Sequence, residues 1–472
     1  MNERNFMKMK KFYVVALLLF NCLLGNSQTI QNLGSGTNGF QSQWGAIRKV
    51  YTDTVDNILY AGGSFEIAGG KTCWGIAQWN GLEWDSLGAG MKPEISTNSM
   101  VSYIRDIVRY KDEIYMTGNF RYIGGKSICG IARWNGIEWN AVGDRFKDSG
   151  NDPFAFASAM EVYNNELYVV GDFDSIGTMP SKGIAKWDGQ NWTDLSQNYG
   201  ANCYFDGFYT LKFFNNELYV AGNLNCPSPE EPLKKRVGDQ WVEVGTGLNG
   251  DSWIAKLKVY QNNLYMGGYF FTQGGNPDNS MIYTDGVSYY PTNGGVLPAG
   301  LRDMFEYNGD LYVCGQINYA GFQPIGRIGK WNGSQWLNTN LNIQQPPETA
   351  GTASSFEKYD GKLVIAGSFS QINGTPASNI AMIDFNTVGF QLNQQNKSLK
   401  VFPNPASDVI NIEINKAEQK GKVRMYNQLG KQVYQQVKGN LQSIEVADFA
   451  KGIYVVEVET DKGVLRQKVV VE

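Results

Sequence analysis

The chain has 472 residues, 55 of them glycine and 13% aromatic, with a net charge of -4 and no histidine. Lack of histidine removes Ser-His-Asp and Cys-His catalysis and His-ligated zinc or copper. Four basic and one acidic side chain precede Gln28, and ten and nine follow Lys400. The 41 basic and 45 acidic residues therefore leave 27 and 35 in residues 28–400, a net of -8 that argues against a nucleic-acid partner.

At the front, Lys8, Lys10 and Lys11 precede the apolar run Tyr13 to Phe20, extended by Cys22 to Leu24 and closed by Gly25, Asn26 and Ser27. Positive flank, short apolar core and small or polar end predict a signal peptide over residues 1–27, cut before Gln28. The run is too short for a stable membrane anchor, so none is expected after its removal. Five cysteines remain: Cys73, Cys129, Cys203, Cys226 and Cys314. None forms a CxxC pair, so neither a metal nor a cofactor is expected. Cys203 and Cys226 flank one predicted hairpin; a disulfide and two buried thiols are both open.

The body repeats itself. GIAQWNGLEW (Gly75 to Trp84), GIARWNGIEW (Gly130 to Trp139), GIAKWDGQNW (Gly183 to Trp192) and RIGKWNGSQW (Arg327 to Trp336) are copies of one phrase. Each follows an apolar strand and a glycine. Anchored on Gly62, Gly118, Gly171, Gly222, Gly267, Gly315 and Gly367, the steps are 56, 53, 51, 45, 48 and 52 residues. Seven copies at this period predict a mainly β chain whose residues 28–390 form a seven-bladed β-propeller.

One repeat reads strand by strand. Ala159 to Tyr163 alternates as a half-buried strand, Asn164-Asn165 turns, and Glu166 to Val170 is the second strand. The loop Ser175 to Lys182 leads to Gly183 to Trp187. Asp188-Gly189 is predicted as a type I′ turn before Trp192 to Leu195. The tryptophans recur once per repeat at a fixed place, which predicts packing between blades rather than a sugar cleft. Ile30 to Gly36 reads like the end of a blade without its beginning, and the last copy lacks such an ending. The N-terminal segment is therefore predicted to supply the outer strand of the seventh blade.

The strand-then-glycine phrase, the pairs Gly69-Gly70, Gly124-Gly125 and Gly274-Gly275, and the spaced aromatics resemble Kelch-like propellers of the galactose-oxidase type. The resemblance implies fold. Oxidases of that fold hold copper with histidine and tyrosine, and a chain without histidine does not carry that activity.

Long loops between blades are where a rigid scaffold holds its binding groups. Here they bring Phe154, Phe156, Tyr204, Phe205, Phe208 and Trp253, among Asp148, Asp152, Asp206 and Asp251. Aromatics beside carboxylates suit a glycan or protein ligand. A non-enzymatic binding protein is the reading taken; a polysaccharide-acting enzyme using carboxylates and a structural or adhesive surface component are the alternatives.

Residues 391–400 are polar and read as a linker. In residues 401–472, Ile410, Ile412 and Ile414 alternate like a strand, and two hairpins follow, predicting a small β-sandwich. This tail resembles the type A sorting domain of the type IX secretion system of Bacteroidetes. The carriers are Pro403, Asn404, Pro405, the turn ending at Gly430, Gly452, Tyr454 and Lys468. The resemblance implies the secretion machinery as partner and a secreted or cell-surface destination.

Overall fold

The computed structural model describes residues 28–39, 46–91, 102–148, 155–199, 204–225, 231–246, 248, 253–270, 280–298, 300–345, 349–385, 399–414, 422–427, 431–437, 443–460 and 463–472. Among these the chain is all strand and turn. It divides into two units, Ile30–Asp384 and one that contains Phe385–Glu472.

In the first unit the recurring phrase folds as four antiparallel strands. Phe156–Tyr163 is the inner strand, Glu166–Asp172 the second, Ile184–Trp187 the third and Trp192–Asp194 the outer one. Alternation along the second strand explains its apolar run. Leu167 and Val169 pack with Tyr110 and Tyr115 of the repeat before, while Val170 packs with Leu211 and Leu218 of the repeat after. Both faces are buried, so each repeat completes its core only with its neighbours.

The inner strands are Ala46–Asp53, Tyr103–Tyr110, Phe156–Tyr163, Tyr204–Phe214, Trp253–Tyr260, Leu301–Tyr307 and Thr352–Tyr359. They pack in succession, and the last packs against the first. Closure is made by the N-terminus. Thr29–Asn32 is the outermost strand on Ile380–Asp384 of the last repeat. Further on, the Thr37 N–H donates to Ser378 O at 3.1 Å and the Asn379 amide donates to Thr37 O at 2.8 Å.

The indoles pack between repeats. Nε1 of Trp84 donates to Leu33 O, that of Trp139 to Leu87 O, and that of Trp241 to Leu195 O, each at 2.9 Å. Each acceptor belongs to the outer-strand end of the adjoining repeat. Within a repeat the two tryptophans pair across the third and outer strands, as Trp134 and Trp139 do with ring centroids 5.2 Å apart.

One turn differs from the reading of the sequence. The type I′ geometry belongs to the inner hairpin, where Asn164 and Asn165 both have positive φ, 47° and 62°. At Asp188-Gly189 only the glycine does, at 104°. That loop is held by the side chain: Asp188 Oδ1 accepts the N–H groups of Gln190 and Asn191, both at 2.7 Å. Asn80, Asn135, Asp285 and Asn332 do the same in their repeats, so the recurring Asn/Asp is an acceptor chosen for its reach.

The recurring glycine has a steric cause. A Cβ at Gly171 would lie 2.2 Å from Phe156 O and 2.7 Å from the Ala157 Cα. Gly118, Gly222, Gly315 and Gly367 are crowded alike. In the first and fifth repeats Gly63 and Gly268 take this place, one residue beyond the Gly62 and Gly267 used for spacing. Gly171→Ala is expected to destabilise the fold by about 2 kcal/mol, because the inner-strand carbonyl must move. An unchanged urea midpoint would contradict this cause.

In the second unit, Leu399–Phe402, Val409–Ile414 and Ser443–Glu445 form one sheet. Gln432–Val437, Lys422–Asn427, Gly452–Thr460 and Gly463–Val471 form another. Ile410 and Ile412 of the first share a buried cluster with Val423, Val456 and Val469 of the second. The segment around Pro403 and Pro405 is clamped on the last strand. Asn404 Oδ1 accepts the Val470 N–H at 2.8 Å, and the Ala406 N–H donates to Val470 O at 2.9 Å. Tyr454, two residues after Gly452, donates its hydroxyl to Ala450 O at 2.6 Å. Lys468 lies on the last strand opposite Val455. Gly430 lies outside the described residues.

Candidate functional site

Each inner strand carries a β-bulge at the same place, opposite the crowded glycine. The extra residues are Arg48, Arg105, Ser158, Tyr209, Ala255, Arg302 and Ser354. The exception in detail is Tyr204–Phe214, where a second irregularity precedes Phe208. A bulge re-aims side chains. Here it marks the end of the ring at which the inner strands begin.

Beyond the bulge the inner strands are fixed to one another by side chains. An inner strand has an edge with no strand beyond it, so its N–H groups need other acceptors. Asp106 Oδ2 accepts the N–H of Met160, and Asp303 Oδ2 that of Phe356, both at 2.9 Å. The Thr210 hydroxyl accepts the Leu257 N–H at 3.1 Å, and the Ser355 hydroxyl accepts the Val50 N–H at 3.2 Å. The last of these joins the seventh copy to the first. One step along, Glu161 Oε2 accepts the Phe213 N–H at 3.1 Å and the Tyr51 hydroxyl accepts that of Arg109 at 3.1 Å.

Lysines complete the girdle. Lys49 pairs with Asp106 at 3.1 Å and Lys256 with Asp303 at 3.0 Å, while Lys212 pairs with Glu161. Burial opposes the charge on Asp303, but Lys256 and Lys49 outweigh it and hold its carboxyl below the usual range. Burial raises the carboxyl of Glu161 against the pull of Lys212. These acids are committed to backbone N–H groups and ammonium partners.

On the bulge side the chemistry differs. The Arg48 guanidinium lies 4.1 Å from the ring centroid of Tyr103. Arg105 donates from Nη2 to the Tyr103 hydroxyl at 2.7 Å and from Nε to Asn119 Oδ1 at 3.0 Å, and lies 4.4 Å from the ring centroid of Phe156. Arg302 donates from Nη1 to the Ser354 hydroxyl at 3.0 Å. Among the described residues none of the three pairs with a carboxylate. Desolvation beside the neighbouring strands lowers the pKa of Arg105 and of Arg302, although Arg302 keeps an exposed surface, and the Arg48 charge lowers both further, so three cations share one field. Aromatic groups stand at the same level. Trp253 opens its inner strand, meets Tyr209 edge-on at 6.3 Å and stacks with Tyr269 at 6.3 Å and 12°.

Of the residues expected from sequence, Phe156 and Trp253 open inner strands at this end. Tyr204, Phe205 and Asp206 begin the inner strand of the fourth copy; their side chains lie outside the described residues. Phe208 is a correction: it is 0% exposed and packs edge-on against Tyr199, because its position alternates into the core. Asp148 is half-buried after the strand Phe146–Lys147. Phe154, Asp152 and Asp251 lie outside the described residues, as do Cys203 and Cys226. Cys73, Cys129 and Cys314 are buried thiols. Among the described residues no group of three or more Cys, Asp or Glu is arranged to hold a metal.

The arginines were missed, although a signal exists. The bulge residue precedes the crowded glycine by 13 positions in six repeats, as from Arg105 to Gly118. In the first repeat the count is 15, from Arg48 to Gly63, because its inner turn is two residues longer.

Residues 400–472 match the secretion system C-terminal sorting domain. A tail of this kind marks proteins handled by the type IX secretion system, so the protein is secreted or held on the outer cell surface. Residues 360–381 match a domain of unknown function, DUF5122, described as a β-propeller, in keeping with a propeller-like first unit. No curated protein matches the chain. Among solved structures, the extracellular domain of BT4673 from B. thetaiotaomicron is similar at 11% identity and a TM-score of 0.48, over 95% of this chain and 59% of that one. The extracellular domain of BT3049 from the same organism is similar at 12% identity and a TM-score of 0.47, over 94% and 60%. The chain thus spans about three fifths of the length of these two domains.

Proposed function

We propose that this protein is a non-enzymatic binding module that acts outside the cell on a glycan or protein ligand. In this reading the first unit is a seven-bladed, Kelch-like propeller spanning residues 28–390, released from a signal peptide at residues 1–27. A linker at 391–400 leads to a β-sandwich at 401–472 that engages the secretion machinery of a Bacteroidetes cell. Cleavage before Gln28 would leave the closing strand Thr29–Asn32 intact.

The observation that carries the reading is the contrast between the two levels of the ring. Aromatic and hydrogen-bonding groups from different repeats converge where the inner strands begin: Tyr103, Phe156, Tyr209 and Trp253. Asp106, Glu161 and Asp303, acids of the inner strands, are spent on holding strands together. Rigid aromatics held at this end of the ring, its mouth, favour a binding role.

A glycan and protein array probed with the exported chain tests this. Binding is expected, and Trp253→Ala should weaken it roughly tenfold by removing an aromatic platform. Turnover of a bound polysaccharide would overturn the non-enzymatic reading. A mouth that binds nothing would leave the structural or adhesive role.

A further inference from the structure

We propose that the ligand at this mouth is an anionic saccharide, whose carboxylate or sulfate is held by Arg48, Arg105 and Arg302. The inference rests on the binding reading above and adds the class of ligand.

The order of the bulge residues around the ring supports it. Arg302, Ser354, Arg48 and Arg105 come from the sixth, seventh, first and second copies, so they form one continuous arc. Ser158, Tyr209 and Ala255 from the third, fourth and fifth copies complete the ring, with Trp253 beside them. One side of the mouth is cationic and offers hydroxyl groups; the other is aromatic. A uronate or sulfated sugar has the matching pair of features, an oxyanion and a ring face that stacks on an aromatic.

Three arginines without carboxylates are not the average of this chain. Residues 28–400 carry eight more acidic than basic side chains. Elsewhere in the ring most inner-strand cations have partners: Lys49, Lys212 and Lys256 each meet an acid, and Arg109 meets Asp53 and Asp56, while Lys258 rests on the Phe305 ring at 5.4 Å. The three mouth arginines instead rest on rings and hydroxyls, which hold a guanidinium in place without neutralising it. Arg105 is positioned by three groups at once, Tyr103, Asn119 and Phe156. A planar fork held this way is ready to meet a planar or tetrahedral oxyanion with two parallel hydrogen bonds. The mutual repulsion of the cations is relieved when such an anion arrives.

The test uses the full exported chain and calorimetry with three probes: oligogalacturonate, an oligosaccharide of chondroitin sulfate, and neutral cellohexaose. Free acetate and sulfate serve as ion arms. The expected result is that at least one anionic oligosaccharide binds tenfold or more tighter than cellohexaose. Its affinity should fall on going from about 50 mM to about 500 mM salt, as charge pairing requires. Binding of oligogalacturonate shows that a carboxylate suffices; binding of chondroitin sulfate alone, which carries both groups, shows that sulfate is needed. Arg48→Ala and Arg302→Ala, at exposed positions, should each lower that affinity roughly tenfold, and Arg105→Lys should lower it while keeping the charge. Free ions should bind far more weakly, since they lack a ring to stack.

Equal affinity for cellohexaose, or arginine variants that bind as the parent does, would overturn the anionic assignment while leaving the mouth a glycan site, as Trp253→Ala would still show. Free sulfate or acetate binding as tightly as the oligosaccharide would overturn the saccharide. No saccharide binding at all would sink both this inference and the glycan part of the reading it rests on. Unfolding midpoints of the arginine variants equal to the parent's tie the losses to the site.

Discussion

Asp303→Ala is expected to lower the stability of the first unit by about 3 kcal/mol, among the largest effects of any single substitution in the ring. Asp303 is buried, and its carboxylate serves three groups. It pairs with Lys256 at 3.0 Å, accepts the Phe356 N–H at 2.9 Å and accepts the Ser355 hydroxyl at 3.3 Å. Alanine leaves an ammonium and a strand-edge N–H without acceptors, and loosens the Ser355 hydroxyl that closes the ring onto Val50. Asp303→Asn keeps a neutral acceptor for Phe356 and should cost less. Acid dependence gives a second readout. The folded carboxyl is held below its ordinary value, so its stabilisation is present above the unfolded pKa, near 4, and is lost as pH falls through the folded one. Glu161 and Glu357, raised by burial, act in the opposite sense, since their protonation favours the folded state on acidification. Urea melts from neutral pH down to about pH 3 should therefore show a shallower acid loss for Asp303→Asn than for the parent. Parallel curves would refute the role given to this carboxylate.

The second large effect is expected at the seam. Deleting Thr29 to Gly36 removes the outermost strand from Ile380–Asp384 and leaves that apolar strand as an unpaired edge. It also removes Leu33, fully buried in a cluster with Val364, Ile380, Trp79 and Trp84, and the carbonyl that accepts the Trp84 indole N–H. Leu33→Ala alone should cost about 3 kcal/mol, the usual range for a buried leucine. The deletion should cost more and should shift the protein toward aggregates on gel filtration. A deletion variant that stays monomeric with the parent's melting temperature would mean that the ring does not depend on this closure. The Tyr359 hydroxyl, which donates to Asn57 O at 3.2 Å, would then be carrying the join with Ser355.

Much of the first unit is legible because its repeats share one physical problem. A strand such as Glu166–Asp172 must be apolar on both faces, since each face meets a different neighbour. That constraint writes the same phrase into every copy, and the tryptophans repeat with it because each fills the same gap between outer strands. The incomplete first and last copies point to the seam for the same reason. The turns are read less well. Asp188-Gly189 and Asn164-Asn165 carry similar letters, yet one is held by its own side-chain acceptor and the other by positive φ at both residues. Phe208 was misplaced because aromatic character marks core and cleft alike, and only its register decides between them.

The amino-acid order alone determined the strand content, the repeat period, the splice at the N-terminus and the sorting tail, because each leaves a local pattern of letters or alternation. The mouth was decided by tertiary structure. Its residues, Arg48, Arg105 and Arg302, are far apart in the chain; their spacing from the crowded glycine marks the bulge, but not that the bulges meet. They come together because a bulge in each inner strand displaces one residue at the same height, and closing the ring turns that height into a single site.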